Sequence, residues 1–164
     1  MNSTDNIEIG KTRADEAGQI VEAARQIIVF SAEEVDTVRE LLDDYLAKGD
    51  ASQYQFLSCR LEGQVVGFAC YGPRALTRST YDFYWLGTVP SAQRRGVGRA
   101  LMRQMEDNIR AHGGRLVILE TSGLLAYEPA RRFYDSHGYR REAVIEDFYN
   151  EGDDLVLYSK RLNP

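Results

Sequence analysis

The stretch VPSAQRRGVGRALM, residues 89–102, places two glycines and three arginines around the start of an apolar helical stripe. Upstream of it, residues 80–89 are rich in aromatic and β-branched side chains and end at Pro90, which predicts a strand. Downstream, apolar residues recur every four positions, as in one face of a helix: Val97, Leu101, Met105 and Ile109. The stretch is therefore predicted to join a strand to an amphipathic helix.

Such a junction can hold an anion. The first N–H groups of a helix have no partner within the helix, and the helix dipole adds partial positive charge at that end. Gly96 and Gly98 would let a ligand approach the backbone closely, and Arg94, Arg95 and Arg99 add full positive charges. The turn is therefore interpreted as a phosphate site. The alternative is a plain strand-to-helix turn with solvated arginines.

Two other phosphate loops fit this turn poorly. A dinucleotide-binding fingerprint needs a third glycine at the position of Leu101. A Walker loop needs lysine and then serine or threonine after Gly98, where Arg99 and Ala100 stand. Neither motif is expected here.

The composition is that of an ordinary globular domain. The 164 residues are 43% apolar and 27% charged, and the formal net charge of −5 disfavours nonspecific binding to nucleic acid or to an anionic membrane. No apolar run is long enough to span a membrane, and the first residues lack the apolar core of a signal peptide, so a cytoplasmic protein is expected. The two cysteines and two histidines show no metal-ligand spacing, so no metal is expected.

The remaining elements follow from periodicity and from turn signals. Ser31 and Glu34 form a predicted capping box at the start of a helix, and Glu62-Gly63 forms a predicted hairpin turn. The chain is predicted to be one α/β (α+β) domain over residues 1–164, with a mixed central sheet of about six or seven strands and about four helices. The expected order is β-α-α-β-β-β-α-β-α-β-β, with a parallel, right-handed crossover over residues 80–121. The predicted elements are strands 7–12, 53–61, 64–72, 80–89, 115–122, 139–148 and 153–161, and helices 15–28, 31–49, 96–112 and 129–136.

The cysteines are expected to be separate buried side chains. A tight turn at 62–63 would place Cys59 opposite Val66 and Cys70 opposite Gln55, so the two thiols would not meet.

The glycine turn resembles the signature of the GNAT family of N-acetyltransferases, Gln/Arg-x-x-Gly-x-Gly/Ala after a strand that commonly ends in proline. A second segment, YEPARRFYDSHGYRREAVI at 127–145, is similar to another motif of that family, and the order of elements agrees over nearly the whole chain. The resemblance implies an N-acetyltransferase that uses acetyl-coenzyme A as acyl donor. It places the coenzyme's pyrophosphate on the amides of Arg95, Gly96, Val97, Gly98 and Arg99. It also pairs the pantetheine arm with Leu86, Gly87 and Thr88, whose amides can polarise the thioester carbonyl.

The resemblance also suggests catalytic residues. Tyr134 occupies the family's tyrosine position, and a phenol there can donate a proton to the departing thiolate. Asp82 lies eleven residues before Gln93, where lysine-acetylating members carry a glutamate base. Glu120, at the predicted C-terminal end of the next parallel strand, is the other candidate base, because ligand crevices form at such ends. For either carboxylate, a hydrogen bond to the sheet edge is the alternative role, and Asp82 is preferred by a small margin.

Tyr127 stands where the family often has an asparagine that contacts the pantetheine. Coenzyme binding at Tyr127 is therefore an expectation from the resemblance.

Two features leave the substrate open. The acidic run EDFYNEGDD at 146–154 favours a cationic amine, whereas Arg74 and Arg78 favour an acceptor with a carboxylate, such as an amino acid. The expected partner is thus a small-molecule or peptide amine, and the resemblance also allows a homodimer. The alternative to an enzyme is a non-catalytic module that binds or senses acyl-coenzyme A.

Overall fold

The computed structural model describes residues 6–163. They form four α-helices and one mixed seven-stranded sheet of order β1-β2-β3-β4-β5-β7-β6. The strands are β1 (Ile7–Lys11), β2 (Gln55–Leu61), β3 (Gln64–Pro73), β4 (Thr80–Thr88), β5 (Leu116–Ser122), β6 (Arg140–Asn150) and β7 (Asp153–Arg161). The helices are α1 (Ala17–Gln26), α2 (Ala32–Lys48), α3 (Val97–Ala111) and α4 (Glu128–Ser136). The fold class, the element order and the parallel β4–β5 pairing predicted from the sequence are confirmed.

Local sequence signals account for several element ends. Ser31 Oγ accepts a hydrogen bond from the Glu34 amide at 3.1 Å, and the Glu34 carboxylate accepts one from the Ser31 amide at 2.6 Å. This capping box begins α2 as predicted. The β2–β3 hairpin turns at Glu62 and Gly63, whose φ angles of 49° and 78° are those of a type I′ turn.

The predicted register of the cysteines is wrong by one residue. Cys59 faces Gly67 rather than Val66, because a bulge between Cys59 and Arg60 shifts the β2–β3 ladder. Cys70 is displaced in the same way and faces Phe56. Both thiols are fully buried and free, so the expectation that they do not pair is confirmed.

The described chain divides into two compact units. The first holds residues 6–72 and 85–108, and the second holds residues 73–84 and 109–163. In the first unit, a Cβ on Gly67 of β3 would lie 2.7 Å from Val97 Cγ1 and 2.9 Å from the Gly87 carbonyl oxygen. The start of α3 therefore packs directly on β3, and a side chain at position 67 would force its neighbours to shift.

A buried ion pair ties the segment before α1 to β2 in the first unit. Glu16 and Arg60 are each 3% exposed, and Arg60 Nη2 donates to Glu16 Oε2 at 2.9 Å. Burial by itself raises the pKa of the Glu16 carboxyl, but hydrogen bonds from Arg60 and from the Arg13 amide, with the Arg60 charge, outweigh it and lower that pKa to about 2. Glu16 is thus ionised in the folded protein at neutral pH.

The second unit contains the sheet segment from the start of β4 to β6. β5 pairs along its whole length with β7, from Leu116 opposite Arg161 to Ser122 opposite Leu155. β6 is the outer strand, and residues 146–149 bulge out of its ladder with β7. A bulge of this kind interrupts the regular row of edge groups that another strand would need.

Candidate functional site

The turn before α3 has the geometry of an anion site. Arg94 and Gly96 both have left-handed backbones, with φ of 63° and 79°. The Gly96 carbonyl accepts the first helical hydrogen bond of α3, from the Ala100 amide at 3.0 Å. The amides of Val97, Gly98 and Arg99 therefore precede the first bonded N–H and have no acceptor within the helix.

The surroundings of these amides are open and basic. Arg94, Arg95 and Arg99 are exposed, whereas Val97 is buried and anchors the first helical turn in the core. A Cβ built on Gly96 would meet no atom within 4 Å, so that glycine is required by its backbone angle and not by crowding within the protein. A bound anion would meet helix amides and arginine side chains at this turn.

Leu86, Gly87 and Thr88 form the end of β4 and belong to the first unit, like the turn. Gly87 is buried, and a Cβ there would press on Ile27 and lie 2.8 Å from the Phe68 ring. On one face of this strand end, the side chains of Ile27 and Phe68 thus pack directly against the backbone at Gly87. Leu86 and Thr88, which flank Gly87, are half-buried.

Tyr134 lies on α4 in the second unit, within a cluster of aromatic rings. Its ring centroid is 6.3 Å from that of Phe83, 6.1 Å from that of Tyr139 and 5.9 Å from that of Tyr158. Within residues 6–163, the Tyr134 hydroxyl makes no hydrogen bond to another residue. Burial is the main cause that raises the pKa of Tyr134 to about 12, so the hydroxyl carries its proton at neutral pH.

The C-terminal end of α4 holds Tyr134 in place. His137 ends the helix, its Nδ1 lies 2.7 Å from the Phe133 carbonyl oxygen, and its ring centroid is 4.1 Å from that of Phe133. The Tyr139 amide donates to the Tyr134 carbonyl at 3.1 Å. His137 therefore has a structural role at the helix end.

Arg131 helps to position α4, a role that the sequence did not predict. Its Nη1 donates to the carbonyl oxygens of Ser122 and Leu124, at 2.6 and 2.9 Å, and so fastens α4 to the end of β5. No local signal distinguishes it from Arg132, which instead pairs with Glu128 on the helix surface. Tyr127 is the half-buried residue immediately before α4.

Asp82 is held in an ion pair with Arg74. Arg74 Nη1 donates to Asp82 Oδ1 at 2.8 Å, and the Tyr84 hydroxyl donates to Oδ2 at 3.3 Å. The pair forms because the loop after β3 closes on itself, with the Arg74 amide donating to the Thr80 carbonyl at 2.9 Å. The Arg74 charge thus offsets the charge of Asp82, and Arg74 is already engaged by a carboxylate.

Glu120 is more accessible. It is exposed on β5, and within the described residues it makes no ion pair. Asp82 lies opposite Ile118 in the parallel ladder, so Glu120, two residues further on, projects from the same sheet face as Asp82. Its negative charge contributes to the raised pKa of Arg74, after the larger effect of Asp82.

The β4–β5 ladder stops beside these residues. It joins Thr80–Asp82 to Leu116–Ile118 and ends there, so in the second unit Phe83 and Tyr84 have no described partner on β5. Leu119 and Glu120 likewise have none on β4. Side chains alternate along a strand, and Phe83, which meets Tyr134, points away from the face of Asp82. Tyr134 therefore lies on one face of the opening and the two carboxylates on the other.

The sequence profile of the acetyltransferase (GNAT) domain matches residues 52–141, more than half of the chain. The chain belongs to the GNAT family. A curated relative, the N-acetyltransferase YsnE of Bacillus subtilis, is 29% identical over 75 residues. That match covers 46% of this chain and 49% of YsnE, so the aligned part spans about half the length of the relative.

Solved structures agree with the GNAT assignment. A crystal structure assigned to the GNAT acetyltransferases, from Desulfovibrio desulfuricans, is 36% identical with a TM-score of 0.91, and the match covers 94% of this chain and 98% of that one. The PaiA N-acetyltransferase of Thermoplasma acidophilum, solved in complex with coenzyme A, is 18% identical with a TM-score of 0.75. The match covers 96% of this chain and 99% of PaiA, and at this identity it shows the shared fold alone.

Within residues 6–163, no helix is long and apolar enough to cross a membrane. The same residues contain no group of three or more histidine, cysteine, aspartate or glutamate side chains arranged to hold a metal ion.

Proposed function

We propose that this protein is an acyl-coenzyme A-dependent N-acetyltransferase that moves acetyl from acetyl-coenzyme A to a primary amine. The observation that carries the proposal is the end of the β4–β5 ladder at Asp82 and Ile118, with Tyr134 on one face and Glu120 on the other. Unpaired strand groups at such an opening need hydrogen-bond partners, and the amides of a pantetheine arm would supply them.

The coenzyme is proposed to be held at the turn before α3. Its pyrophosphate would accept hydrogen bonds from the amides of Val97, Gly98 and Arg99, with Arg94 and Arg95 adding positive charge. The pantetheine arm would pair with Leu86–Thr88, and the Tyr127 side chain would contact it in place of an amide. The complex of PaiA with coenzyme A supports this choice of ligand for a protein of the same fold.

The reaction needs a neutral amine beside the thioester. A carboxylate takes a proton from the ammonium group of the acceptor, and the amine nitrogen then attacks the thioester carbonyl carbon. Of the two candidates, Glu120 is the one without an ion pair in the described chain, while Asp82 is bound to Arg74. We therefore propose Glu120 as the base, with Asp82 and Arg74 orienting the acceptor.

Collapse of the tetrahedral intermediate breaks the carbon–sulfur bond, and the sulfur leaves as a thiolate. Tyr134, with a pKa of about 12, is a weak acid relative to an ordinary thiol of pKa about 8.5. The dry surroundings that raise the pKa of Tyr134 also raise the pKa of a thiol in the same place. The pKa values of the phenol and of the departing thiol are therefore closer together than their values of about 12 and about 8.5 indicate. Tyr134 is proposed to donate a hydrogen bond to the departing sulfur and to supply its proton. The second proton that the nitrogen loses as the amide forms then returns to the Tyr134 oxygen.

The acceptor is proposed to be an amine of a small molecule, an amino acid or a lysine side chain. Three further features stay predictions: a single catalytic domain over residues 1–164, a cytoplasmic location and a homodimer. None of them is needed for the chemistry above.

The proposal is tested by thiol release from acetyl-coenzyme A over a panel of polyamines, amino acids, aminoglycosides and lysine peptides. At least one acceptor should give steady turnover, and calorimetry should detect binding of coenzyme A. No binding heat at millimolar coenzyme A would overturn the proposal. Binding without turnover on any acceptor would favour a non-catalytic sensor of acyl-coenzyme A instead.

A further inference from the structure

The outer strand β6 is exposed along its whole length. All eleven of its residues, 140–150, are exposed, although the strand belongs to the sheet. A single exposed apolar residue is ordinary on a protein surface, but several together indicate an interaction site. Four large apolar or aromatic side chains of β6 have about half of their surface accessible to solvent: Val144 (48%), Ile145 (51%), Phe148 (51%) and Tyr149 (46%).

Apolar side chains project from both faces of this strand. Val144 and Ile145 are adjacent in the chain, so they lie on opposite faces of the sheet. Their partners on the neighbouring strand β7, Val156 and Leu155, are 4% and 3% exposed. Both faces of the sheet are therefore covered at β7 and uncovered at β6, and burying β6 requires a partner.

The charges of β6 are separated along the strand. Arg140 and Arg141 begin it, and Glu146 and Asp147 lie toward its other end. Glu142 lies near the basic end, but Arg140 Nη2 donates to its Oε1 at 2.7 Å and offsets its charge. Glu146 is exposed and makes no ion pair within residues 6–163. The strand is thus basic at one end and acidic toward the other.

This charge pattern is complementary to itself. If two copies of β6 lie antiparallel about a two-fold axis near Ala143, Arg140 of one copy lies beside Glu146 of the other, because each is three residues from Ala143. The apolar residues of the two strands then cover one another. A parallel arrangement would place like charges together, and a partner of a single charge would meet its own sign at one end of the strand.

We propose that β6 is the interface of a homodimer in which the β6 strands of two copies lie antiparallel. The ladder between β6 and β7 is irregular between Arg141 and Ala143 and again over residues 146–149, so side chains and not a long backbone ladder hold the two copies together. Two symmetric Arg140–Glu146 pairs fix the orientation, and the two-fold axis limits this contact to two copies. The inference is independent of the proposed function, because no step of the acetyl transfer uses β6.

The experiment measures the association state of the full chain by analytical ultracentrifugation. The wild type should be a dimer over about 1–100 µM. Ile145→Glu buries a charge at two symmetric places and should raise the dimer dissociation constant by at least about tenfold. Leu76→Glu is the matched control, since Leu76 is a fully exposed apolar residue in the loop before β4, and its constant should stay within about twofold of the wild-type value.

A charge exchange tests the orientation and guards against a folding defect. Arg140→Glu and Glu146→Arg should each raise the dissociation constant about tenfold, because each places like charges together twice. The double variant restores opposite charges and should recover most of the wild-type affinity.

A wild type that is monomeric over this range would overturn the inference. A dimer that Ile145→Glu leaves intact would place the interface elsewhere and also overturn it. If the single reversals weaken the dimer and the double variant does not recover, the antiparallel arrangement is wrong. Thermal unfolding followed by circular dichroism should show that each variant is folded.

Discussion

Replacing Tyr134 by phenylalanine isolates the function of one hydroxyl group. The substitution keeps the ring and therefore its contacts with Phe83, Tyr139 and Tyr158 at 5.9–6.3 Å. The lost hydroxyl has no hydrogen bond within the described residues, so the free energy of unfolding should change by less than about 0.5 kcal/mol. Any large effect on turnover would then arise in the reaction.

The expected loss is that of a positioned proton donor. Turnover at saturating substrates should fall by about 10²–10⁴-fold, which corresponds to about 3–5 kcal/mol of barrier. The dissociation constant for acetyl-coenzyme A should stay within about twofold, because the hydroxyl acts on the departing sulfur and not on the bound ground state. The raised pKa adds a further expectation. With a pKa of about 12, Tyr134 keeps its proton up to pH 10, so the wild-type rate should show no alkaline decline caused by it below that pH.

The assay measures thiol release with the best acceptor from the panel, between pH 6 and pH 10, with coenzyme affinity measured separately. Tyr139→Phe is the matched control, because it removes a hydroxyl from the same aromatic cluster, and its turnover should stay within about threefold of the wild type. A Tyr134→Phe enzyme with turnover near that of the wild type would refute the donor role. An equal loss in Tyr139→Phe would assign the effect to packing of the cluster.

Three further predictions concern stability. Glu16→Gln removes the buried charged partner of Arg60 and leaves the exposed Glu8, at 3.5 Å, as its ion-pair partner. The free energy of unfolding should fall by about 3 kcal/mol at pH 7, as measured by urea unfolding. The pKa of Glu16 is lower in the folded protein than in the unfolded chain, so the stability that ionised Glu16 contributes is complete above about pH 4.5 and is lost as the pH falls toward 2. The stability difference between wild type and variant should therefore shrink on acidification, and a constant difference would contradict this role of Glu16. Ser31→Ala removes the N-cap of α2 and should cost about 1 kcal/mol in the same assay, whereas an unchanged midpoint would mean that the capping box contributes nothing. Gly67→Ala places a methyl group 2.9 Å from the Gly87 carbonyl oxygen and should cost about 1–3 kcal/mol; a variant as stable as the wild type would show that this contact relaxes freely.

Much of the fold could be predicted because its signals are short in range. The capping box at Ser31, the Glu62-Gly63 turn and the stripe from Val97 to Ile109 each involve residues a few positions apart, and the structure confirms all three. The turn at Gly96 belongs to the same group, since its glycine and the start of the helix lie within one segment. The membership of the GNAT family follows from these local motifs and from their order along the chain.

The sequence by itself therefore determined the elements, their order and the basic turn at the start of α3, because periodicity, caps and turns depend on neighbouring residues. Only the tertiary structure decided which distant groups meet. It pairs Asp82 with Arg74, leaves Glu120 without an ion pair in the described chain, and shifts Cys59 by one residue through a bulge. It also ends the β4–β5 ladder after Asp82. The physical reason is that these features depend on contacts between segments that are far apart in the chain. A loop closes, a strand bulges or two strands part where this lowers the free energy of those contacts, and no spacing within one segment encodes the result.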